Sequence, residues 1–368
     1  MQQELATLIF LFFYFCSSLL QAQSMNQNDG PYIFYEAGWV MVHSIGTSSD
    51  TLVSKVDSFR ASKKKLHPLS IHFSNHSGWD FTVPFKKYIR PEPCVWNNIE
   101  TILALSDIEG EFEALRNLLI ANKVMDSVYN WTFGKGHLVI CGDLFDRGND
   151  VTAELWLLYK LEEEAKEKGG YVHTILGNHE IMNLSGDFGY VQPKYFNSAK
   201  VMAKNYEDFY GPETELGRWL RSKNIMEQIG DYLCLHGGVS ATINAKGMTL
   251  PDINKQCRPF YDLGYHPEEF TDKGLWDFFE GNNISPFWYR GYFLEPKASE
   301  SQVDSTLALY RCKKIIVGHT IVANVSRLYN AKVIGIDVNE HAGNAQGLLI
   351  ENKQEYEINL TGKKKLLE

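Results

Sequence analysis

The sequence predicts an α/β protein built around a β-α-β-α-β unit, with a smaller β-rich segment before it. Three observations support this prediction. After residue 100, apolar strand-like runs alternate with helical patterns, polar residues follow those runs directly, and the first hundred residues are rich in aromatic and β-branched side chains. Strands that alternate with helices pair in parallel through right-handed crossovers. The 368-residue length accommodates one such domain with additions, or two domains.

The composition is that of an ordinary globular protein, with 44% hydrophobic and 22% charged residues. The formal net charge is −9. Proteins that bind the nucleic-acid backbone are usually basic, so we expect no nucleic-acid partner, although a nuclease with a local basic groove is compatible with this charge.

The N-terminus carries a targeting signal. Residues 8–20 form an apolar run, shorter than the roughly 20 residues that span a bilayer, and a polar segment follows. This pattern is typical of a secretory signal peptide, here residues 1–23, and predicts a periplasmic or secreted protein without a membrane span after cleavage. The segment before the run lacks Lys and Arg, and Ala22 belongs to a poor cleavage site. The alternative is a buried or anchoring helix.

The sequence contains six cysteines. Cys16 lies in the signal segment, whereas Cys141 and Cys234 lie in apolar strands and are expected to be small core residues. The absence of a C-x-x-C pattern argues against a structural zinc site. Three cysteines remain as possible disulfide partners in an oxidising compartment, with a pairing that the sequence does not reveal: Cys94, Cys257 and Cys312.

Residues 24–98 are predicted to form a β-rich extension of a few short strands packed on the main body, with turn signals at residues 46–50 and 75–78. The main domain, residues 99–361, begins with strands at residues 101–106, 137–141 and 171–176. Helices at residues 111–120 and 152–168 separate them, and Phe112, Leu115 and Leu119 share one helical face.

Later strands are predicted at residues 232–235, 314–317, 332–336 and 347–351, with helices at residues 199–210 and 213–221. We expect the stretch from residue 240 to residue 299 to be irregular. Residues 362–368 are expected to form a short tail.

Polar residues follow five of these strands at the point where each strand ends. The segments are residues 106–110 (SDIEG), 142–148 (GDLFDRG), 177–180 (GNHE), 236–238 (HGG) and 318–320 (GHT). The carboxyl ends of strands in open α/β sheets are where ligands bind, so we expect these segments to meet. Asp, Asn and His delivered from several strands, beside Gly that lets the backbone turn sharply, indicate a site for more than one metal ion.

In this order, the five segments resemble the motifs of the calcineurin-like metallophosphoesterases, specifically the phosphoprotein phosphatase superfamily. Residues 177–187 (GNHEIMNLSGD) and 288–291 (WYRG) are most similar to the bacterial Shewanella-like phosphatase branch. The resemblance covers about residues 100–351 and leaves out the first hundred. It implies a metallophosphoesterase β-sandwich flanked by helices around the β-α-β-α-β core.

The resemblance also implies roles for the residues at matching positions. Asp143 would bridge two divalent metal ions, and a hydroxide held between them would attack phosphorus. His179, paired with Asp146, would act as the general acid. Arg147 and Arg290 would hold phosphate. The six implied metal ligands are Asp107, Glu109, Asp143, Asn178, His236 and His319.

One position departs from the family pattern. The usual D-x-H is Asp107-Ile108-Glu109 here, so a carboxylate stands where an imidazole is expected. As a ligand, Glu109 would make the first metal site more negative and harder, which favours manganese, iron or magnesium over zinc, with manganese or iron preferred. The alternative is that Glu109 turns away and lies at the N-terminus of the following helix.

The implied activity is hydrolysis of phosphate monoesters, either phosphoprotein at Ser, Thr or Tyr, or a small phosphate ester. Two arginines match the extra negative oxygen of a monoester. The alternative for Arg290 is a structural ion pair among its aromatic neighbours. The competing functions are a phosphodiesterase or dinucleoside-polyphosphate hydrolase and, in a different class, a catalytically silent metal- or phosphopeptide-binding module, which only Glu109 supports. The oligomeric state stays open.

Overall fold

A computed structural model describes residues 28–49, 51–76, 78–264 and 266–368. The segment predicted as a signal peptide, residues 1–23, lies outside the described residues, so its cleavage stays a prediction. Over the part of the chain that the structure describes, no helix has both the length and the apolar character needed to cross a membrane.

The strands of the described residues are β1 (Asp29–Glu36), β2 (Trp39–Ser48), β3 (Thr51–Arg60), β4 (Leu69–Ile71), β5 (Phe81–Val83), β6 (Val95–Trp96), β7 (Ile102–Leu105), β8 (His137–Cys141), β9 (Tyr171–Ile175), β10 (Met226–Ile229), β11 (Tyr232–Leu235), β12 (Lys314–Val317), β13 (Ser326–Leu328), β14 (Val333–Gly335), β15 (Gln346–Glu351), β16 (Gln354–Asn359) and β17 (Lys364–Leu366).

The α-helices of the same residues are α1 (Phe112–Ala121), α2 (Val151–Glu167), α3 (Asn178–Ser185), α4 (Pro193–Val201), α5 (Glu215–Arg221), α6 (Ala241–Ala245), α7 (Leu250–Cys257), α8 (Lys273–Trp276) and α9 (Glu300–Tyr310). Short 3₁₀ helices lie at Ala61–Leu66, Tyr206–Tyr210, Arg258–Leu263, Pro267–Glu269 and Glu340–Ala342.

Two six-stranded sheets form the body of the molecule, in the orders β13-β14-β12-β11-β10-β6 and β17-β16-β15-β7-β8-β9. In the second sheet β7, β8 and β9 are parallel neighbours, which confirms the β-α-β-α-β prediction. Successive side chains of a strand point to opposite faces. In β7, Ile102 and Ala104 belong to an apolar layer shared with strands of the other sheet, whereas Leu103 and Leu105 pack in the cluster that contains the helices. The molecule is therefore a β-sandwich flanked by helices.

The N-terminal segment is more extensively structured than the few short strands that the sequence predicts. Strands β2 and β3 are each 10 residues long and pair along their whole length. Strand β1 packs against α2 and α5, and the Asp29 carboxylate accepts hydrogen bonds from Tyr32 (2.7 Å), Thr152 (3.1 Å) and Ser198 (2.7 Å). Strand β6 joins the first six-stranded sheet beside β10. This segment therefore covers the outer side of the helices.

Helix α2 is buried on all sides in its first half and also carries buried charges in its second half. The Glu162 carboxylate lies 3.2 Å from Lys86 Nζ and 2.7 Å from Lys223 Nζ, and all three side chains are almost completely buried. A buried carboxylate must be paired, and these two lysines pair it. Because Lys86 comes from the N-terminal segment, the packing of that segment explains this burial.

The prediction of a helix at residues 199–210 is wrong. The chain forms α4 earlier, because Pro193 favours the first helical turn. Ala203 then adopts a left-handed conformation, with a φ of 53°, which ends the helix before the 3₁₀ turn Tyr206–Tyr210.

The stretch expected to be irregular contains α6, α7 and α8. Each of these helices begins after a residue whose side chain accepts a capping hydrogen bond: Ser240, Thr249 and Asp272. Residues 364–366, expected in a tail, form β17 against β16.

All five cysteines among the described residues are free and buried. Cys141 and Cys234 are core residues, as predicted. The possible disulfide among the other three does not form in the structure: Cys94, Cys257 and Cys312.

Candidate metal centre

The segments that follow β7, β8, β9, β11 and β12 meet at one end of the sandwich, as predicted. They surround a cavity of about 480 Å³. Nine of the ten residues singled out in the sequence analysis lie in its wall or close beneath it, and the tenth, Asp146, contacts His179 from behind. The cavity wall contains Asp107, Glu109, Asp143, Arg147, Asn178, His179, Arg290 and His319, together with Tyr190, Trp288, Ile321, Asp337 and His341.

Backbone conformation is unusual at this end of the sandwich. Several non-glycine residues of the five segments have φ angles in the left-handed region, which L-residues rarely adopt. These residues are Asp107 (56°), Glu109 (52°), Asp143 (57°), Asp146 (76°), Arg147 (52°) and His319 (62°). Such strain persists where the surrounding structure holds it and is common at functional sites. Here these backbone conformations direct the side chains of the five segments toward the cavity.

The glycine of the GNHE segment allows two of these loops to touch. A Cβ atom on Gly177 would lie 2.2 Å from the Asp143 Oδ1 atom and 2.6 Å from its backbone nitrogen. Any side chain at this position would therefore displace the Asp143 carboxylate. Glycine is required here because the two loops approach each other closely, and not because of its backbone freedom.

One group of donors lies around His236. Candidate ligand atoms of Asp143, His236 and His319 are all within 4.8 Å of one another. His236 Nε2 lies 3.1 Å from Asp143 Oδ2, 2.9 Å from Asn178 Oδ1 and 3.1 Å from His319 Nδ1. His236 Nδ1 lies 2.7 Å from the Cys141 carbonyl oxygen, to which it donates. That bond directs Nε2 at the cluster, as at many metal-binding histidines.

A second group shares Asp143 with the first. Ligand atoms of Glu109, Asp143 and His179 also lie within 4.8 Å of one another. Asp107 stands beside them, and its Oδ2 accepts hydrogen bonds from the His319 backbone N–H (2.9 Å) and the Ser106 hydroxyl (2.5 Å). Asp143 is thus the residue common to both groups, which is the position expected of a bridging ligand.

The Glu109 carboxylate points into the cavity and not along the following helix. Its Oε1 atom lies 3.8 Å from His179 Nε2 and forms an ion pair with Arg147. Helix α1 begins at Phe112, after Glu111 as N-cap residue, so Glu109 does not serve that helix. Its place in the structure matches the ligand hypothesis and adds a contact with Arg147 that the sequence did not suggest.

The electrostatics of the site favour bound cations. Burial raises the pKa of Asp107 well above its usual range, and the nearby charge of Asp337 raises it further. Burial alone would lower the pKa of His236, but the carboxylates of Asp143 and Asp107 outweigh it and raise the value to about 10. A cluster that draws a proton this strongly also draws metal ions. Carboxylate and imidazole donors together suit manganese, iron and zinc.

His179 and Asp146 form the predicted dyad. His179 Nδ1 lies 2.5 Å from Asp146 Oδ2, and both residues are buried. Asp146 Oδ1 accepts a hydrogen bond from Asn183 (3.0 Å), which in turn accepts one from the Tyr206 hydroxyl (2.7 Å). Burial lowers the pKa of His179, but Asp143 and the hydrogen bond to Asp146 outweigh it, and the net shift is upward. The imidazole therefore keeps its proton at higher pH than an ordinary histidine.

Both arginines reach the cavity. Arg290 Nη1 donates to the His319 carbonyl oxygen and to Thr320 Oγ1, the latter at 3.3 Å. Arg147 lies 5.4 Å from the centre of the Tyr190 ring, and its side chain is 39% exposed. The alternative of a structural ion pair for Arg290 is not what the structure shows, since these contacts are with a carbonyl and a hydroxyl oxygen.

Two residues of the site were not assigned from the sequence. Asp337 lies two residues after the end of β14 and lines the cavity wall. It repeats the strand-then-acid pattern of the other segments, so the same reasoning could have found it. Glu180 lies beneath the site with no exposed surface. Its carboxylate accepts backbone N–H bonds from Asp143 (2.9 Å), Leu144 (2.7 Å), Phe145 (3.3 Å) and Gly177 (2.6 Å).

Comparison with known proteins agrees with this geometry. The family model for calcineurin-like phosphoesterases matches residues 100–323. Shewanella-like protein phosphatase 1 of Plasmodium berghei is 31% identical over 238 residues, which cover 61% of this chain and 62% of that protein. The match therefore spans less than two thirds of that relative. Shewanella-like protein phosphatase 2 of Arabidopsis thaliana is 28% identical over 295 residues, covering 68% and 73%.

A solved structure is similar over almost the whole described chain. The cold-active protein-tyrosine phosphatase of a psychrophilic Shewanella species superposes with a TM-score of 0.83 and 34% sequence identity. The superposition covers 93% of this chain and 99% of the other. Residues 100–368 are only 269 of the 368 residues, so a superposition that covers 93% of the chain includes most of the N-terminal β-rich segment.

Proposed function

Because this chain belongs to the calcineurin-like phosphoesterase family, we propose that it hydrolyses phosphate monoesters in the cavity described above. The observation that carries the proposal is that the metal donors, the His179–Asp146 dyad and two arginines line that one cavity or lie directly behind its wall. Metal donors alone would suit a binding protein. A buried imidazole paired with a carboxylate, and two guanidinium groups that can bind phosphate, are the parts that a phosphoryl-transfer enzyme needs in addition.

The residues fit two divalent ions. Two donor groups share Asp143, since ligand atoms of Asp143, His236 and His319, and those of Glu109, Asp143 and His179, lie within 4.8 Å of one another. Bound ions would polarise the phosphate and lower the pKa of a water molecule. Manganese or iron is favoured over zinc because Glu109 adds a hard oxygen donor. The proposed ligands are Asp107, Glu109 and Asp143 for one ion, and Asp143, Asn178, His236 and His319 for the other.

The chain itself supplies the remaining chemistry. Arg147 and Arg290 would each bind non-bridging phosphate oxygens through their guanidinium groups, which orients the ester and offsets charge in the transition state. His179 has its Nδ1 atom engaged by Asp146, so its Nε2 atom faces the cavity, 3.8 Å from Asp143 Oδ2. From there His179 would donate its proton to the leaving oxygen.

We favour phosphotyrosine among the monoesters. The cavity rim carries Trp288 and two well-exposed side chains, Tyr190 (53%) and Ile321 (62%). A phenyl ring above the phosphate would contact these apolar surfaces, whereas the short side chains of phosphoserine and phosphothreonine would leave them uncovered. The similar Shewanella structure is described as a protein-tyrosine phosphatase, which supports the same choice.

One substrate panel tests the proposal. Protein loaded in turn with Mn²⁺, Fe²⁺, Zn²⁺ or Mg²⁺ would be assayed on phosphotyrosine, phosphoserine and phosphothreonine peptides, p-nitrophenyl phosphate, its bis-ester and diadenosine tetraphosphate. We expect the highest kcat/KM on phosphotyrosine with Mn²⁺ or Fe²⁺. Faster cleavage of the bis-ester or the dinucleotide would favour the phosphodiesterase alternative. Stoichiometric metal binding without turnover of any substrate would favour the silent binding module.

The cellular location is a separate proposal, which follows from residues 1–23 alone. We propose that the chain is exported, to the periplasm or beyond the cell, and that the signal segment is removed. N-terminal sequencing of protein recovered from the exported fraction should begin near residue 24. Recovery of intact protein that begins at Met1 would contradict export by cleavage.

A further inference from the structure

Two glutamates are buried directly behind the loop that carries Asp107 and Glu109. Glu154 lies in α2 and Glu340 in the 3₁₀ turn Glu340–Ala342, and their exposed fractions are 0% and 4%. Three of their four carboxylate oxygens have no hydrogen-bond partner: Glu154 Oε1, Glu340 Oε1 and Glu340 Oε2. The fourth, Glu154 Oε2, accepts a hydrogen bond from the Gly110 backbone N–H at 3.2 Å.

The charged groups that act most strongly on the two carboxylates are themselves negative. Burial raises the pKa of Glu154, and the largest charge effect in the same direction comes from Glu340, followed by Asp150 and Glu111. Burial also raises the pKa of Glu340, and the charges that act on it are those of acids: Glu111, Asp107 and Asp337.

Nearby basic groups are engaged elsewhere. His341 Nδ1 contacts Glu111 at 2.7 Å, and Lys194 Nζ lies 3.8 Å from Asp150. Buried carboxylates with so few hydrogen-bond donors are costly unless a cation or a proton satisfies them. The unmet oxygens therefore call for a positive partner from outside the chain.

We propose that Glu154 and Glu340 bind a hard divalent cation of the Ca²⁺ class, at a site separate from the two-ion centre. The unpartnered atoms are all carboxylate oxygens, which are the donors that Ca²⁺ prefers, and the pair offers up to two bidentate ligands. No imidazole or thiolate is among them, so zinc and iron have little advantage here.

The position of this site suggests what it stabilises. Gly110, whose N–H is held by Glu154, directly follows Glu109 in the chain. The Gly110 carbonyl oxygen accepts from the Asp150 N–H (3.2 Å), and the Glu109 carbonyl oxygen accepts from the Gly148 N–H (2.7 Å). A cation on Glu154 would hold its carboxylate in place, and with it the loop that presents Asp107 and Glu109. The cation would support the catalytic loop without touching substrate.

Calcium binding to the manganese-loaded protein tests this. Wild type, Glu340→Gln and a matched control, Glu113→Gln on the exposed side of α1, would each be titrated with Ca²⁺ by calorimetry, with Mn²⁺ content measured before and after. We expect wild type and the control to bind one Ca²⁺ without losing Mn²⁺, and Ca²⁺ to raise their Tm by a few degrees. Glu340→Gln should lose both effects and keep its Mn²⁺.

The result for Glu340→Gln without Ca²⁺ provides a second check. Removing one of two buried carboxylates that lack hydrogen-bond partners should leave its Tm equal to or above that of calcium-free wild type. Should this variant fail to fold, Glu154→Gln replaces it with the same expectations. Equal calcium titrations in wild type and variant, or no binding to either, would overturn the proposal and leave a shared proton as the explanation. Because the measurement is Ca²⁺ binding and not turnover, such a failure would leave the phosphatase proposal untouched.

Discussion

At the scale of single residues, Glu109 stands where the motif that this chain resembles has a histidine, and its carboxylate lies beside both the dyad and one arginine. It lies 3.8 Å from His179 Nε2 and is paired with Arg147. A histidine at this position could bind a metal but would not attract a guanidinium. The substitution therefore couples the first metal position to one of the two groups proposed to bind phosphate.

Replacing Glu109 should separate these two effects. Glu109→His should shift metal preference toward iron or zinc, lower the pKa of the bound water and move the acidic limb of the pH–rate profile downward, because a negative charge is removed. Glu109→Gln should selectively weaken the first ion and raise the metal concentration needed for activity. Metal titrations and pH–rate profiles of both variants test this. Wild-type behaviour in both would mean that Glu109 is not a ligand.

His179 is the proposed proton donor, and its loss should spare the metals. His179→Asn should slow turnover by about 10²–10⁴-fold, the usual contribution of a general acid. The loss should be smaller for p-nitrophenyl phosphate, whose leaving group needs little protonation, than for an alkyl phosphate. Metal content serves as the control and should stay at the wild-type value. Equal losses on the two substrates would argue for another acid.

The dyad also makes a prediction for pH dependence. Asp146 raises the pKa of His179, so the protonated acid persists above its usual range and the alkaline limb of kcat lies correspondingly high. In Asp146→Asn that stabilisation of the charged imidazole is lost. The alkaline limb should therefore move to lower pH, while activity well below it falls less. An unmoved alkaline limb would show that a group other than His179 sets it.

At the scale of elements, helix α3 and the loop after β8 are joined by one side chain. Glu180 accepts N–H bonds from three consecutive residues of that loop, Asp143, Leu144 and Phe145, and from Gly177 at the start of its own helix. Burial and the nearby charge of Asp143 raise its pKa, and these backbone donors offset only part of that rise. Glu180 is therefore a positioning residue for the shared ligand Asp143.

Glu180→Gln places an amide N–H₂ against backbone N–H groups and should loosen this loop. We expect metal affinity to fall by about 10–100-fold, the usual effect of losing a residue that orients a ligand. Glu355→Gln is the matched control, since Glu355 is equally buried and bonded to Tyr232 (2.8 Å) and Arg327 (2.8 Å) outside the cavity. The control should lose stability and keep its metal affinity. Similar metal affinities in the two variants would assign Glu180 a purely structural role.

At the scale of the whole molecule, the N-terminal segment is part of the folded unit. The Trp156 indole N–H donates to the Pro31 carbonyl oxygen at 3.0 Å, and Tyr32 is 1% exposed against the helical layer. The segment thus covers α2, whose first turn approaches the catalytic loop through Glu154. Its contribution to stability should therefore be large, although none of its described residues lines the cavity.

Tyr32→Ala should lower the free energy of unfolding by about 3–5 kcal/mol, because a large buried ring and a hydrogen bond to Asp29 are lost. Tyr88→Ala is the matched control, since Tyr88 belongs to the same segment and is 61% exposed. It should change stability by less than about 0.5 kcal/mol. Denaturant unfolding measures both. Equal effects would indicate that the segment folds apart from the main domain.

The sequence by itself determined the strands and the residues that follow them. The predicted bounds of residues 137–141, 232–235 and 314–317 coincide with β8, β11 and β12, because a buried parallel strand is a continuous apolar run bounded by glycine and polar residues. The predicted site residues share a cavity for the same reason, since strand polarity places those ends together. Sequence patterns were therefore sufficient to predict the features that arise from residues close together in the chain.

Only the tertiary structure decided what depends on partners distant in the chain. The Glu109–Arg147 pair, the three N–H bonds to Glu180 from the loop after β8 and the bond from Gly110 to Glu154 join segments that no periodicity connects. The prediction of a helix at residues 199–210 was wrong for a similar reason, because the residue type of Ala203 does not indicate its left-handed backbone conformation. A strand can be recognised from the pattern of its own side chains. The role of a buried carboxylate depends on the residues that the fold places against it, and these come from distant parts of the sequence.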